Sequence, residues 1–138
     1  MAALSAKRVT KSRGITRKTR YLMKASETCY AGGMVCLAST GLAIPAAAAS
    51  GNKAVVGVAA ATVTSAASGS YYVECLEGEF NFAADTLEQE DVGAMVYADD
   101  DATIDETQAS NAPVAGRLIE YVSASEGWVR IGPDALVA

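Results

Sequence analysis

Residues 54–82 read Ala-Val-Val-Gly-Val-Ala-Ala-Ala-Thr-Val-Thr-Ser-Ala-Ala-Ser-Gly-Ser-Tyr-Tyr-Val-Glu-Cys-Leu-Glu-Gly-Glu-Phe-Asn-Phe. Two runs rich in Val, Thr, Tyr and Phe flank small turn-forming residues. This pattern predicts a β-hairpin with its loop at residues 65–69. Side chains alternate along a strand, so Tyr71, Val73 and Cys75 share one face and Tyr72, Glu74 and Leu76 the other. The first set carries no charge and is assigned to the core. Gly57 and Gly78 interrupt strand pattern, as bulges or close backbone approaches do.

Outward from this hairpin the chain reads as shorter strands. Extended segments are expected at 20–25, 33–39, 42–45, 94–98, 102–104, 113–123 (with a bulge at Gly116) and 128–131. Turn signals separate them: Ser39-Thr40-Gly41, Asp99-Asp100-Asp101 and Ser125-Glu126-Gly127. Short strands at this spacing argue for an all-β body, a small barrel or sandwich. The best helix candidate is 85–92, where Asp85 or Thr86 would cap an acidic first turn and Gly93 would end it.

Charge divides the chain. Residues 1–24 hold Lys7, Arg8, Lys11, Arg13, Arg17, Lys18, Arg20 and Lys24 and no acid, a charge of +8. The remainder holds three cations and all sixteen acids, −13, giving the net −5. A basic tail on an acidic body is the usual meaning of such a split. Residues 1–19 have no sustained apolar period and are expected to be an extended arm, ordered only against another surface. Residues 20–138 are expected to form the β-rich domain.

The chain has no histidine. That removes the commonest general base and the commonest zinc ligand together. Its cysteines, Cys29, Cys36 and Cys75, are odd in number and form no Cys-x-x-Cys pair, so they read as reduced small hydrophobes. Residues 28–52 are uncharged behind a basic segment, but Gly32-Gly33, Ser39-Thr40-Gly41 and Pro45 break the apolar run that a secretory signal needs. No stretch approaches the roughly 18 unbroken apolar residues of a membrane helix.

Two acidic groups bear on chemistry. Asp99, Asp100 and Asp101 with Asp105 and Glu106 form the densest cluster, but without the spacing of a calcium loop. A solvated turn accounts for it. Glu74, Glu77 and Glu79 would serve a glycosidase only across a substrate cleft that nothing marks. No nucleophile elbow, phosphate loop or dinucleotide fingerprint occurs. No enzyme activity, catalytic residue, metal or cofactor is therefore expected. The aromatics, Trp128 among them, read as core or interface anchors rather than a base-stacking platform.

From residue 20 to 132 the order of pieces resembles the capsid decoration, or cement, proteins of tailed bacteriophages. The matching pieces are Tyr30-Ala-Gly-Gly-Met-Val-Cys-Leu, Gly41-Leu-Ala-Ile-Pro, Val55-Val-Gly-Val-Ala and Val73-Glu-Cys-Leu-Glu-Gly-Glu-Phe. Asp91-Val-Gly-Ala-Met-Val-Tyr-Ala-Asp-Asp, Ala115-Gly-Arg-Leu-Ile and Gly127-Trp-Val-Arg-Ile complete the series. The resemblance implies a structural protein on the capsid exterior of the virion, made in the bacterial host cytoplasm. It implies the major capsid protein as partner, a homotrimer, and a clamp between neighbouring coat subunits. Residues 1–19 lie outside the resemblance. Their cations, Lys7, Arg8, Lys11, Arg13, Arg17 and Lys18, with Arg20, are the expected capsid-binding residues. The rival is a virion nucleic-acid-binding protein whose arm lies along phosphates, which the acidic body disfavours. A carbohydrate-binding β module and a hydrolase are weaker rivals.

Overall fold

The computed structural model describes residues 3–133, except the side chain of Ile15. Met1, Ala2 and residues 134–138 of the expected segments lie outside the described residues. Eleven strands run in chain order. They are β1 (Ser12–Leu22), β2 (Thr28–Cys29), β3 (Met34–Leu37), β4 (Ala43–Pro45), β5 (Val55–Ala59) and β6 (Val63–Thr64). Then come β7 (Tyr72–Ala84), β8 (Met95–Ala98), β9 (Thr103–Asp105), β10 (Val114–Ser123) and β11 (Glu126–Ile131). The fold is all-β. Strands β11, β10, β8, β9 and β7 close a five-stranded barrel through the β11–β7 pairing. β5, β3 and β4 extend the sheet from β7, and β1 also pairs with β7.

β7 is the axis of the molecule. Its 13 residues are met by β1 from Tyr72 to Phe80, by β5 at Cys75 and Leu76, by β11 from Gly78 to Ala83, and by β9 at Ala83 and Ala84. The period of two serves two cores. Val73 and Cys75 enter one with Met23, Cys29, Val35, Ala43 and Ala59. Phe80, Phe82 and Ala84, from the alternate set, enter the barrel core with Leu87, Leu118, Val129 and Ile131. Burial of either phenylalanine, each at most 1% exposed, is worth about 1.5–3 kcal/mol.

The expected hairpin forms only in part. β5 and β7 are antiparallel neighbours at Val58–Leu76 and Ala59–Cys75. There the chain packs tightly: a Cβ on Gly57 would sit 2.8 Å from the Cys75 Cβ. Ala60 still donates its N–H to the Glu74 carbonyl at 2.8 Å; beyond it the first run leaves β7, and β6 pairs with β2 instead. The 65–69 loop is then tied to residues 23–27. Ser26 donates its backbone N–H to the Ser65 carbonyl, Ser65 to the Glu27 carbonyl, and Gly69 to the Met23 carbonyl. Ser65 is 1% exposed, so this loop is docked rather than free. Tyr71, assigned to the core, is exposed, whereas Val73 and Cys75 are buried as expected. Leu76, placed on the wet face, packs against the barrel core.

The expected helix at 85–92 is a single 3₁₀ turn, Gln89–Asp91. Its capping box is reciprocal: the Glu88 N–H donates to Asp91 Oδ2 at 2.8 Å, and the Glu88 side chain accepts from the Asp91 N–H. Glu88, Glu90 and Asp91 crowd three acids into one turn, while Leu87 is drawn into the barrel core. One buried residue cannot offset the cost of nucleating a longer helix. At Gly116 the β8–β10 register shifts, as expected for a bulge.

Candidate interaction surface on the N-terminal strand

Residues 3–22 wrap the chain's own body. Part of the segment expected as an extended arm held by another surface is β1, eleven residues long and antiparallel to the chain's own β7. The physical reason is charge. The cations of β1 lie along three glutamates of β7, with Arg13 opposite Glu79, Arg17 opposite Glu77 and Arg20 opposite Glu74. Sequence reading treated arm and body as separate charge blocks and missed this match. Three glutamates, Glu74, Glu77 and Glu79, within one strand-forming run were its available signal.

Three stations hold the strap before β1. The Leu4 N–H donates to Asp101 Oδ1 at 2.9 Å. Asp101 is 2% exposed, and burial raises its pKa against the stabilising hydrogen bond from Leu4. The Arg8 N–H donates to the Ala31 carbonyl at 2.7 Å. The Arg8 guanidinium stacks 4.8 Å from the Phe82 ring centroid and donates from Nη1 to Thr10 Oγ1 and the Asn81 carbonyl. Burial lowers its pKa, opposed by Glu126. Thr10 Oγ1 donates to the Gly32 carbonyl. Gly32 has φ +86°, and a Cβ there would lie 1.9 Å from the Arg8 carbonyl oxygen. Only glycine leaves room for the strap. The Gly32-Gly33 doublet thus forms its seat as well as a turn.

β1 itself is held by surface charge. Arg13 pairs with Glu79 Oε1 at 2.9 Å, pairs with Glu120, and lies 4.4 Å over the Trp128 ring. Arg130 joins from β11, its Nη2 2.9 Å from Glu79 Oε2. This holds the Glu79 carboxyl below its ordinary range, chiefly through Arg130. Lys18 reaches Glu74 at 3.9 Å, Thr19 Oγ1 donates to Glu77 Oε2 at 3.3 Å, and Arg20 stacks 4.3 Å over Tyr72. Lys7, Lys11, Arg17 and Lys24 are exposed. The three glutamates once weighed as hydrolytic carboxylates are thus engaged by cations or a hydroxyl.

The acidic turn is divided. Asp101 anchors the strap, and Asp100 accepts the Ala102 N–H at 2.8 Å. Asp99 and Asp105 instead meet Asp85, with carboxylate oxygens within 4.8 Å of one another. Sequence reading did not include Asp85, which arrives from the end of β7. Burial, then the neighbouring Glu106, pushes Asp105 up to about 6. Asp99 is raised by burial and by Asp100, and its Oδ1 has no hydrogen-bond partner. Glu106 is lowered by hydrogen bonds from Asp105 and from Thr86 Oγ1. Three carboxylates are the residues that would face a hard cation, short of the about six to eight oxygens of a complete calcium shell.

All three cysteines are free and buried. Burial pushes Cys36 to about 11 and Cys75 to about 12, far from the thiolate range. A shallow depression of about 230 Å³ beside the strap has Arg8 as the sole ionisable side chain in its lining. No helix among the described residues is long and apolar enough to cross a membrane. No family model, curated protein or solved structure matches the chain.

Proposed function

We propose that the chain is a capsid decoration protein that binds the outer surface of an assembled phage head and clamps neighbouring coat subunits. The observation that carries this reading is β1. A basic strand lies along the surface of an acidic β-barrel body, with Arg17, Lys18 and Arg20 exposed and Arg13 half-buried. Such a strand supplies charge and backbone for docking rather than a cleft for turnover. Among the described residues, one group of three carboxylates, Asp85, Asp99 and Asp105, lies at the end of β7, β8 and β9, away from β1. The contact is with the major capsid protein, the working unit is a homotrimer, and no cofactor takes part.

Co-sedimentation with assembled, DNA-free capsid shells tests the reading. The full chain pellets with shells at 0.1 M salt and much less at 1 M, where the screening length falls from about 10 to about 3 Å. Failure to pellet at either salt refutes decoration. Stronger retention on duplex DNA than on shells would favour a nucleic-acid-binding virion protein instead.

A further inference from the structure

β1 is paired on one side only. Its partner on that side is β7, and no strand lies on its other edge among the described residues. The register breaks between Arg13 and Arg17, so the regular edge is Arg17 to Leu22; six residues present a row of backbone donors and acceptors over about 20 Å. Natural edges of this length are covered, or protected by charge. The charge here has one sign: Arg13, Arg17, Lys18 and Arg20 within the strand, Lys11 and Lys24 at its ends, and no acid before Glu27.

We propose that the open edge of β1 is a strand-addition site for an extended acidic segment of another kind of chain. For its identity as a coat segment this rests on the decoration reading; the chemistry of the edge does not. Three observations select the occupant. First, pairing with β1 of a second copy would set cations against cations, which destabilises directly opposed strands. Second, distance separates the added strand from the body's acids. Neighbouring strands lie about 4.8 Å apart, so an added strand runs about 4.8 Å from the β1 backbone and about 9.6 Å from that of β7. The second spacing is close to the screening length at 0.1 M salt. The cations of β1 are therefore the charges nearest an added strand, with Lys18 shared with Glu74 at 3.9 Å and Arg13 with Glu79 and Glu120. Third, one face of β1 has a readable order. Lys18, Arg20 and Leu22 lie opposite Leu76, Glu74 and Tyr72, and Leu22 and Tyr72 are both exposed. Arg20 is already stacked on Tyr72. The complementary face of the added strand carries acids beside Lys18 and Arg20 and an apolar residue beside Leu22 and Tyr72. Tyr and Arg are the residue types that anchor interfaces.

The test uses the full chain, labelled with ¹⁵N, and synthetic peptides. The probe is acetyl-Thr-Glu-Thr-Glu-Thr-Ile-Thr-amide and the same sequence reversed, since parallel and antiparallel addition require opposite orders. One order shifts the amide signals of β1 and binds at least tenfold more tightly than a peptide with Lys in place of Glu. N-methylation of alternate peptide nitrogens on the pairing side abolishes binding, and K18E/R20E weakens it at least tenfold. K18T/R20T, which keeps β-forming side chains, gives an intermediate loss and guards against misfolding of the reversal variant. Equal binding by the N-methylated peptide, or shifts mapping elsewhere than β1, would overturn the proposal. So would displacement of the peptide from β1 by an equimolar duplex DNA oligomer. Peptide binding without shell co-sedimentation would refute decoration and leave the edge site standing.

Discussion

β7 has two long partners that are held to it by different forces. Against β11 it packs Phe80 and Phe82 into a core shared with Val129 and Ile131. Against β1 it sets Glu74, Glu77 and Glu79 beside exposed cations, with only Tyr21 and Arg13 of β1 half-buried among its described side chains. The two ladders are alike in geometry and unlike in what desolvates on forming them. Apolar burial contributes about 25 cal/mol per Å² and is not screened by salt; salting-out salts strengthen it. An exposed ion pair contributes about 0–1 kcal/mol and is screened. The barrel is therefore expected to unfold as a unit and the β1 ribbon to open locally.

The largest effect separates the two at once. Phe82→Ala removes a fully buried ring and costs about 3–5 kcal/mol. Chemical denaturation with a shifted midpoint and an unchanged slope would report it. A loss below about 1 kcal/mol would mean the barrel core is not where the stability lies.

Next comes the strap's seat. Gly32→Ala forces a Cβ against the Arg8 carbonyl at a left-handed backbone position, a strain of order 1–3 kcal/mol. The expected outcome is release of residues 4–10, read as faster amide exchange there with β11 unaffected. Equal acceleration in β11 would show that strap and barrel open together.

The carboxylates at the far end of β7 sharpen the contrast through pH. Asp105 is raised from 3.8 to about 6 in the folded chain. A folded pKa above the unfolded one means that protonation favours folding. Its stabilising contribution is therefore full below about pH 4 and is lost as pH rises through about 6. Asp105→Asn should flatten the stability profile between pH 4 and 7 and raise the melting temperature most at pH 7. A variant with the parent's pH slope would contradict this assignment.

The smallest effect belongs to the β1 ion pairs. Arg13→Ala loses contacts to Glu79, Glu120 and Trp128 at a half-buried to exposed surface site. It should lower the melting temperature by only a few degrees at low salt, with little effect at 1 M. A large, salt-independent loss would place β1 within the cooperative core.

The same division explains what was legible in the sequence. Periodicity of two gave the all-β class, the strands β3, β4, β8, β10 and β11, and the buried positions Val73 and Cys75. These depend on local alternation. Glycine pattern located the close approach at Gly57 and the bulge at Gly116. What escaped depends on contacts across the fold. Val63 and Thr64 have strand pattern but pair with Cys29 and Thr28, so the hairpin opens after Ala60. Asp85 joins Asp99 and Asp105 only because β7 and β9 run in parallel there. Acids at 85–92 gave a capping signal without the apolar period that would have sustained a helix. The cations of residues 7–20 were legible as a basic block, while their seat on β7 required matching them to glutamates about 60 residues away.

The most direct test of the account is amide hydrogen exchange of the full chain, free and bound to assembled shells. Free, the amides on the open edge of β1 exchange quickly, while those joining β7 to β11 exchange only on global unfolding. On binding, protection rises along β1 and little at Asp85, Asp99 and Asp105. Protection gained at that acidic corner, with β1 unchanged, would contradict the assignment of β1 as the docking strand.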